Sequence, residues 1–127
     1  MLPFPIQLQA GQPIYEQIVH AVKRGLATGH RRPGDRFPAV RAISAELLIN
    51  PNTVQKAVNA LVAAGVLEVR SGQGSFVAPT IVADRRERAR TLEPLVETLL
   101  IEASRLGLDE EELLHFIQKQ NRKMKSP

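Results

Sequence analysis

The stretch Asn50-Pro51-Asn52-Thr53-Val54-Gln55-Lys56-Ala57-Val58-Asn59-Ala60-Leu61-Val62-Ala63-Ala64-Gly65 decides how the chain is read. Its ends carry helix punctuation: Asn50 can cap free N–H groups, Pro51 suits the first helical position, and Gly65 suits a left-handed stop. At about 100° per residue, Val54, Val58, Leu61 and Val62 share one face, and Asn52, Gln55, Lys56 and Asn59 share the opposite arc. No Asp or Glu occurs from Leu47 to Leu67. A solvated face usually mixes both charge signs, whereas this one offers amides and one cation. Amides make paired hydrogen bonds to adenine edges, and cations meet guanine or phosphate. That is the chemistry of a helix lying in a DNA groove. Capping accounts fully for Asn50, and Asn59, further along, is expected to face solvent.

Immediately upstream, a shorter helix near residues 39–48 is predicted to bury Val40, Ile43 and Leu47, with Pro38 in its first turn and Arg41 pointing away from the buried face. Ile49-Asn50-Pro51 then turns the chain, which makes a helix-turn-helix. Downstream of Gly65 the period changes to two. Val66-Leu67-Glu68-Val69-Arg70 alternates, Ser71-Gly72-Gln73-Gly74 turns, and Ser75-Phe76-Val77 returns. This hairpin is a wing whose small tip, flanked by Arg70 and Gln73, lets backbone approach a narrow groove. A tight turn would explain the same glycines equally well.

Further out, residues 1–12 read as irregular, and Pro13 leads into a helix striped by Ile14, Ile18, Val22 and Leu26 and ended by Gly29. His30 to Pro38 reads as a connector turning at Pro33-Gly34. Pro79 closes this first domain, residues 1–79. Residues 80–127 read as a helical appendage, helical from Ile81 and opened by the basic run Arg85, Arg86, Arg88 and Arg90. Leu92, Leu95, Val96, Leu99, Leu100, Ala103 and Leu106 form an apolar stripe. Pro94 either kinks one long helix or lies in the first turn of a helix capped by Thr91. After Gly107, Asp109 and Glu112 stand at capping-box spacing before Leu113, Leu114 and Ile117, and the basic tail from Arg122 is expected to fray. Two such helices cannot enclose a core, so the stripe is expected to meet a second copy about a two-fold axis. The alternative is that both fold back onto their own winged domain. The fold class is mainly α with a small β-hairpin.

Composition bounds the function. Residues 1–79 hold eight Lys or Arg against four acids, and the rest of the chain holds nine against nine. The excess positive charge therefore lies with the helix-turn-helix, as in a nucleic-acid-binding half. Cysteine is absent, Met-Leu-Pro-Phe-Pro is no export signal, and no apolar run is long enough for a bilayer, so a soluble cytoplasmic protein is expected. His20, His30 and His115 are too scattered for a metal site, and Glu110 to Glu112 suit the helix dipole rather than acid–base chemistry. No cofactor motif appears, and the chain reads as a non-enzyme.

Four motifs at consistent spacing then carry a resemblance: Pro13-Ile14-Tyr15-Glu16-Gln17-Ile18, Pro33-Gly34-Asp35-Arg36-Phe37-Pro38-Ala39-Val40-Arg41, Asn50-Pro51-Asn52-Thr53-Val54-Gln55-Lys56-Ala57 and Gly72-Gln73-Gly74-Ser75-Phe76-Val77. Together, over roughly residues 12–78, they resemble the winged helix-turn-helix of GntR-family bacterial transcription regulators. The short two-helix tail looks like the YtrA-type subfamily, where that region serves dimerisation. The resemblance implies a homodimeric regulator, usually a repressor, of a double-stranded DNA operator. By matching position, Arg41 would contact phosphate or base; the competing reading is a surface ion pair with Glu46. Asn52, Thr53 and Gln55 would read base edges or nearby phosphates, and Ser71 with Gly72 would place the wing in the minor groove. Lys56 joins them by its place on the outer arc. Leu48 stands where many members have Gly, and Pro51 and Gln55 where other subfamilies place Arg, which leaves guanine readout to Arg41 or the wing. Two dyad-related helices predict a palindromic site. A protein-interaction adaptor and a sensor with a small-molecule effector at the dimer seam are the competing classes. The sequence names no effector.

Overall fold

The structure is a computed structural model that describes residues 2, 4–29, 31–79 and 84–125. It divides into two compact units, Met1–Thr80 and Ile81–Pro127.

In the first unit, α1 (Ile14–Ala27) follows Pro13 and buries Ile18, Ala21 and Val22. The segment ahead of it is tied down. The Gln17 side chain accepts from the Gln9 N–H at 2.8 Å and donates to the Gln9 and Gln12 carbonyls. This brings Phe4, 2% exposed, onto Phe37 with ring centroids 5.9 Å apart and planes 3° from parallel.

Helix α2 (Val40–Leu47) begins after Ala39, so Pro38 precedes the helix instead of occupying its first turn. Pro fixes only its own φ, and here the extended Ala39 (ψ 151°) still separates it from helical geometry. Leu48 ends α2 in the left-handed region (φ 56°), and the Ile49 N–H donates back to the Ser44 carbonyl at 3.2 Å. That is the Schellman arrangement with leucine in the usual glycine position.

Helix α3 (Pro51–Ala63) starts as its punctuation predicts: Asn50 Oδ1 accepts from the Asn52 N–H at 2.8 Å. Val54, Ala57, Val58 and Leu61 are its buried residues. It stops in a second Schellman turn, with Gly65 at φ 76°, its N–H on the Val62 carbonyl, and the Val66 N–H on the Leu61 carbonyl at 2.9 Å. Val66 is therefore part of the stop and lies outside the strand, contrary to the sequence reading.

The hairpin pairs β1 (Leu67–Arg70) with β2 (Gly74–Val77), Leu67 opposite Val77 and Arg70 opposite Gly74. Gly74 is thus a strand residue, and the turn is Ser71-Gly72-Gln73. The Gln73 N–H donates to the Arg70 carbonyl at 2.9 Å with Gly72 at φ 72°, the geometry of a type II turn. Part of the expected connector joins this hairpin. Arg36 bridges Phe76, the Phe37 N–H donates to the Ser75 carbonyl at 2.8 Å, and the Val77 N–H to the Asp35 carbonyl at 2.8 Å.

The core of this unit joins Ile18, Val22, Ile43, Val54, Leu61 and Leu67, and no polar side chain is buried among the described residues. Each such aliphatic side chain contributes about 1.5–3 kcal/mol on leaving water.

In the second unit, α4 (Arg85–Arg105) is capped by Asp84, whose carboxylate accepts from the Glu87 N–H at 2.8 Å. The helix runs through Pro94 without ending, so Thr91 caps nothing. The expected helical start at Ile81 falls outside the described residues. Gly107 (φ 80°) closes α4 in a further Schellman turn. Helix α5 (Glu110–Lys125) opens on a reciprocal capping box, Asp109 N–H to Glu112 Oε1 at 3.2 Å and Glu112 N–H to Asp109 Oδ1 at 2.8 Å. It includes Arg122 to Lys125, which the sequence reading expected to fray. Among the described residues no helix is long and apolar enough to cross a membrane.

Candidate nucleic-acid interface

The outer face of α3 is open. Asn52, Gln55, Lys56 and Asn59 are all exposed, and Thr53 is half-buried. Asn50 spends its carbonyl oxygen on the helix start, as expected of a cap. Gln55 Nε2 donates to Asn59 Oδ1 at 2.9 Å, so Asn59 is both solvent-facing and tied to a neighbour on the same arc. Lys56 leans towards α1, its Nζ 4.1 Å from the centroid of the Tyr15 ring. The ring supports a cation by its quadrupole and leaves the other faces of the ammonium in solvent.

Arg41 stands exposed in the first turn of α2 and forms no ion pair among the described residues. A surface pairing with Glu46 is therefore not what holds it. Its side chain faces solvent.

At the wing, Ser71, Gly72, Gln73 and Gly74 are exposed. Arg70 is less free than its position suggests. Its guanidinium donates to Glu68 Oε1 at 2.9 and 3.1 Å and lies 4.0 Å from the Phe76 ring centroid. On the same hairpin, Arg36 Nη2 donates to the Gln73 carbonyl at 3.1 Å. Sequence reasoning left Arg36 in a connector. The alternation in Asp35-Arg36-Phe37 is too short to register as a strand, and only the pairing with Phe76 shows its role.

The helix face and the wing belong to one surface element because Gly65 and Val66 join them directly, with the Ala78 N–H returning to the Val66 carbonyl at 3.0 Å. Among the described residues no group of three or more His, Cys, Asp or Glu could hold a metal ion, and His30 lies outside them.

In the second unit, Ala103 and Leu113 are buried, at 5% and 7% exposure. The other stripe residues are exposed: Leu92, Leu95, Val96, Leu99, Leu100 and Leu106 on or after α4, with Leu114 and Ile117 on α5. Ile101, not anticipated from the sequence as part of this surface, is exposed as well, as is Phe116, which adjoins the apolar side of α5.

Comparison with known proteins agrees with this architecture. Residues 14–77 match the model of bacterial regulatory proteins, gntR family. The chain is similar to the uncharacterized HTH-type transcriptional regulator YhcF of Bacillus subtilis (strain 168), with 31% identity covering 88% of this chain and 93% of that protein. It is also similar to the HTH-type transcriptional repressor YtrA of the same organism, with 32% identity covering 89% and 88%. Among solved structures, a Listeria monocytogenes EGD-e protein described as a transcriptional antiterminator superposes with a TM-score of 0.81 at 28% identity, covering 98% of this chain and 93% of that one. The helix-turn-helix, the wing and these likenesses lead to one assignment: the chain belongs to the gntR family of bacterial regulatory proteins, in its YtrA-like branch, and is a DNA-binding transcriptional regulator and not an enzyme.

Proposed function

We propose that the protein is a homodimeric repressor that binds a palindromic operator. In this reading residues 1–79 are the DNA-binding domain and residues 80–127 the dimerisation region, acting in the cytoplasm where the chromosome lies. The observation that carries it is the exposed, carboxylate-free face of α3 joined directly to a glycine-tipped wing. Helix α3 lies in the major groove, where Asn52, Thr53 and Gln55 meet base edges and Arg41 and Lys56 meet phosphate or guanine. Ser71, Gly72 and Gln73 enter the neighbouring minor groove.

The apolar stripe supports pairing of two chains. Leu95 is 64% exposed and Leu99 42%, and an open groove of about 640 Å³ beside Leu99, Leu113, Phe116 and Ile117 offers a second helix a seat. Apolar surface of this extent marks an interface. The repressor name of the similar YtrA protein supports the sign of regulation.

Selection of bound duplexes from a random pool, followed by hydroxyl-radical footprinting, tests the whole reading. An inverted repeat with half-sites about one helical turn apart is the expected result. Enrichment of a single unrepeated site, or of none, would overturn it.

A further inference from the structure

The wing is held at its tip from outside the hairpin. Arg36 lies in the extended segment ahead of α2, bridged antiparallel to Phe76, and its Nη2 reaches the Gln73 carbonyl at 3.1 Å. The same atom stands 3.8 Å from where a Cβ on Gly74 would be, so the guanidinium lies against the backbone of the tip itself. Its Cζ is 6.0 Å from the Phe76 ring centroid, and Arg70 lies over the same ring at 4.0 Å. The two cations differ in charge balance. Arg70 is held by Glu68 at 2.9 Å, whereas Arg36 has no carboxylate partner among the described residues.

A two-stranded ribbon is marginal by itself, and a tip with Gly72 and Gly74 loses more freedom on binding than any other composition would. Freezing that tip in advance reduces the entropy lost when DNA arrives. A guanidinium suits this because its planar fork carries five N–H donors, so one can hold a carbonyl while others face outward.

We propose that Arg36 is the positioning residue of the wing: it fixes the Ser71–Gly74 tip through the Gln73 carbonyl and supplies the wing's uncompensated cation to a phosphate bordering the minor groove. This rests on the reading that the hairpin enters that groove.

Two variants of the full chain separate brace from charge. Arg36→Met keeps a long stem and removes both, and Arg36→Lys keeps the charge and removes the fork. In the free protein, heteronuclear NOEs of Ser71, Gly72, Gln73 and Gly74 should fall in both variants while the α1–α3 amides keep theirs. On the selected operator duplex, Arg36→Met should bind roughly tenfold more weakly, with a salt slope (log K against log salt) smaller by about one. Minor-groove protection should fade as major-groove protection persists. Arg36→Lys should keep the slope and still loosen the tip. If Arg36→Met does not fold, Arg36→Lys carries the test by itself. Unchanged tip NOEs would overturn the brace, and a loosened tip with unchanged affinity and footprint would overturn its part in binding. A wild-type footprint without minor-groove protection would show, before any variant is made, that the wing reading had failed and this one with it.

Discussion

Gln55 and Asn59 hold one another across a turn of α3, Nε2 of the first donating to Oδ1 of the second at 2.9 Å. A glutamine reads adenine by presenting an acceptor and a donor together. The bond to Asn59 orients the Gln55 amide before any base is present, leaving its Oε1 and second N–H outward. Gln55→Ala should therefore lower discrimination between operator and random duplex by about 1–3 kcal/mol at one base position. Asn59→Ala should lose a smaller share at the same position. Competition anisotropy measures both, and equal weakening on the two duplexes would assign the pair to backbone contact.

Lys56 and Tyr15 link α3 to α1, with the ammonium 4.1 Å from the ring centroid. A double-mutant cycle with Lys56→Met and Tyr15→Leu should give a coupling of about 0.5–1 kcal/mol in urea unfolding, the worth of a solvated cation–π pair. Additive effects would mean that the stack does not persist in water.

Leu48 is the one non-glycine residue with positive φ among those described, and its side chain is 89% exposed. Its Cβ meets the carbonyl clash of the left-handed region, and exposure returns little burial energy. The strain of about 1–2 kcal/mol exceeds the entropy that glycine adds to the unfolded chain. Leu48→Gly should raise stability by about 0.5–1 kcal/mol, seen as a higher urea midpoint with unchanged slope. A lower midpoint would mean that Leu48 makes contacts in solution that offset its backbone.

Phe4 lies in a stretch that looks unstructured by composition, yet its ring stacks on Phe37 at 5.9 Å. Phe4→Ala should cost about 3 kcal/mol, in the range for emptying a buried aromatic site. Calorimetry would reveal it as a fall in melting temperature; a loss near zero would mean the amino-terminal arm does not dock in solution.

Leu99 is 42% exposed on the apolar stripe and lines the groove beside α5. Leu99→Lys should yield monomers in sedimentation equilibrium and weaken binding to a palindromic duplex far more than to one half-site, because the two halves then bind independently. A variant that stays dimeric would move the seam elsewhere.

What was legible in the sequence was whatever is local. Asn50, Pro51 and Gly65 mark α3 because capping depends on neighbours within a turn, and Asp109 with Glu112 marks α5 for the same reason. The strand period revealed the hairpin. Long-range pairing stayed invisible: Arg36 reaches Gln73 across thirty-seven positions, and nothing near either residue signals the other. The docking of Phe4 was hidden likewise, since Pro3 and Pro5 beside it speak only for irregular backbone. Pro94 left two readings open, and the structure takes the one in which a single long helix carries it. Its penalty is a local preference, and the helix around it continues for a further eleven residues, to Arg105. Of the candidate site, the exposure of the outer arc of α3 was readable, whereas the bond between Gln55 and Asn59 and the lean of Lys56 towards Tyr15 depend on the three-dimensional structure.

The stop at Gly65 has a consequence for the DNA. Because Val66 is pinned to Leu61 on one side and to Ala78 on the other, α3 and the hairpin cannot change their separation without breaking both bonds. In the proposed mode of binding the protein would act as a gauge of fixed span, and each half-site would have to offer its two grooves at that one distance. Inserting a single base pair between them advances one by about 3.4 Å and turns it by about one-tenth of a helical turn. Such an operator should lose the hairpin's contacts entirely while keeping every base that α3 reads.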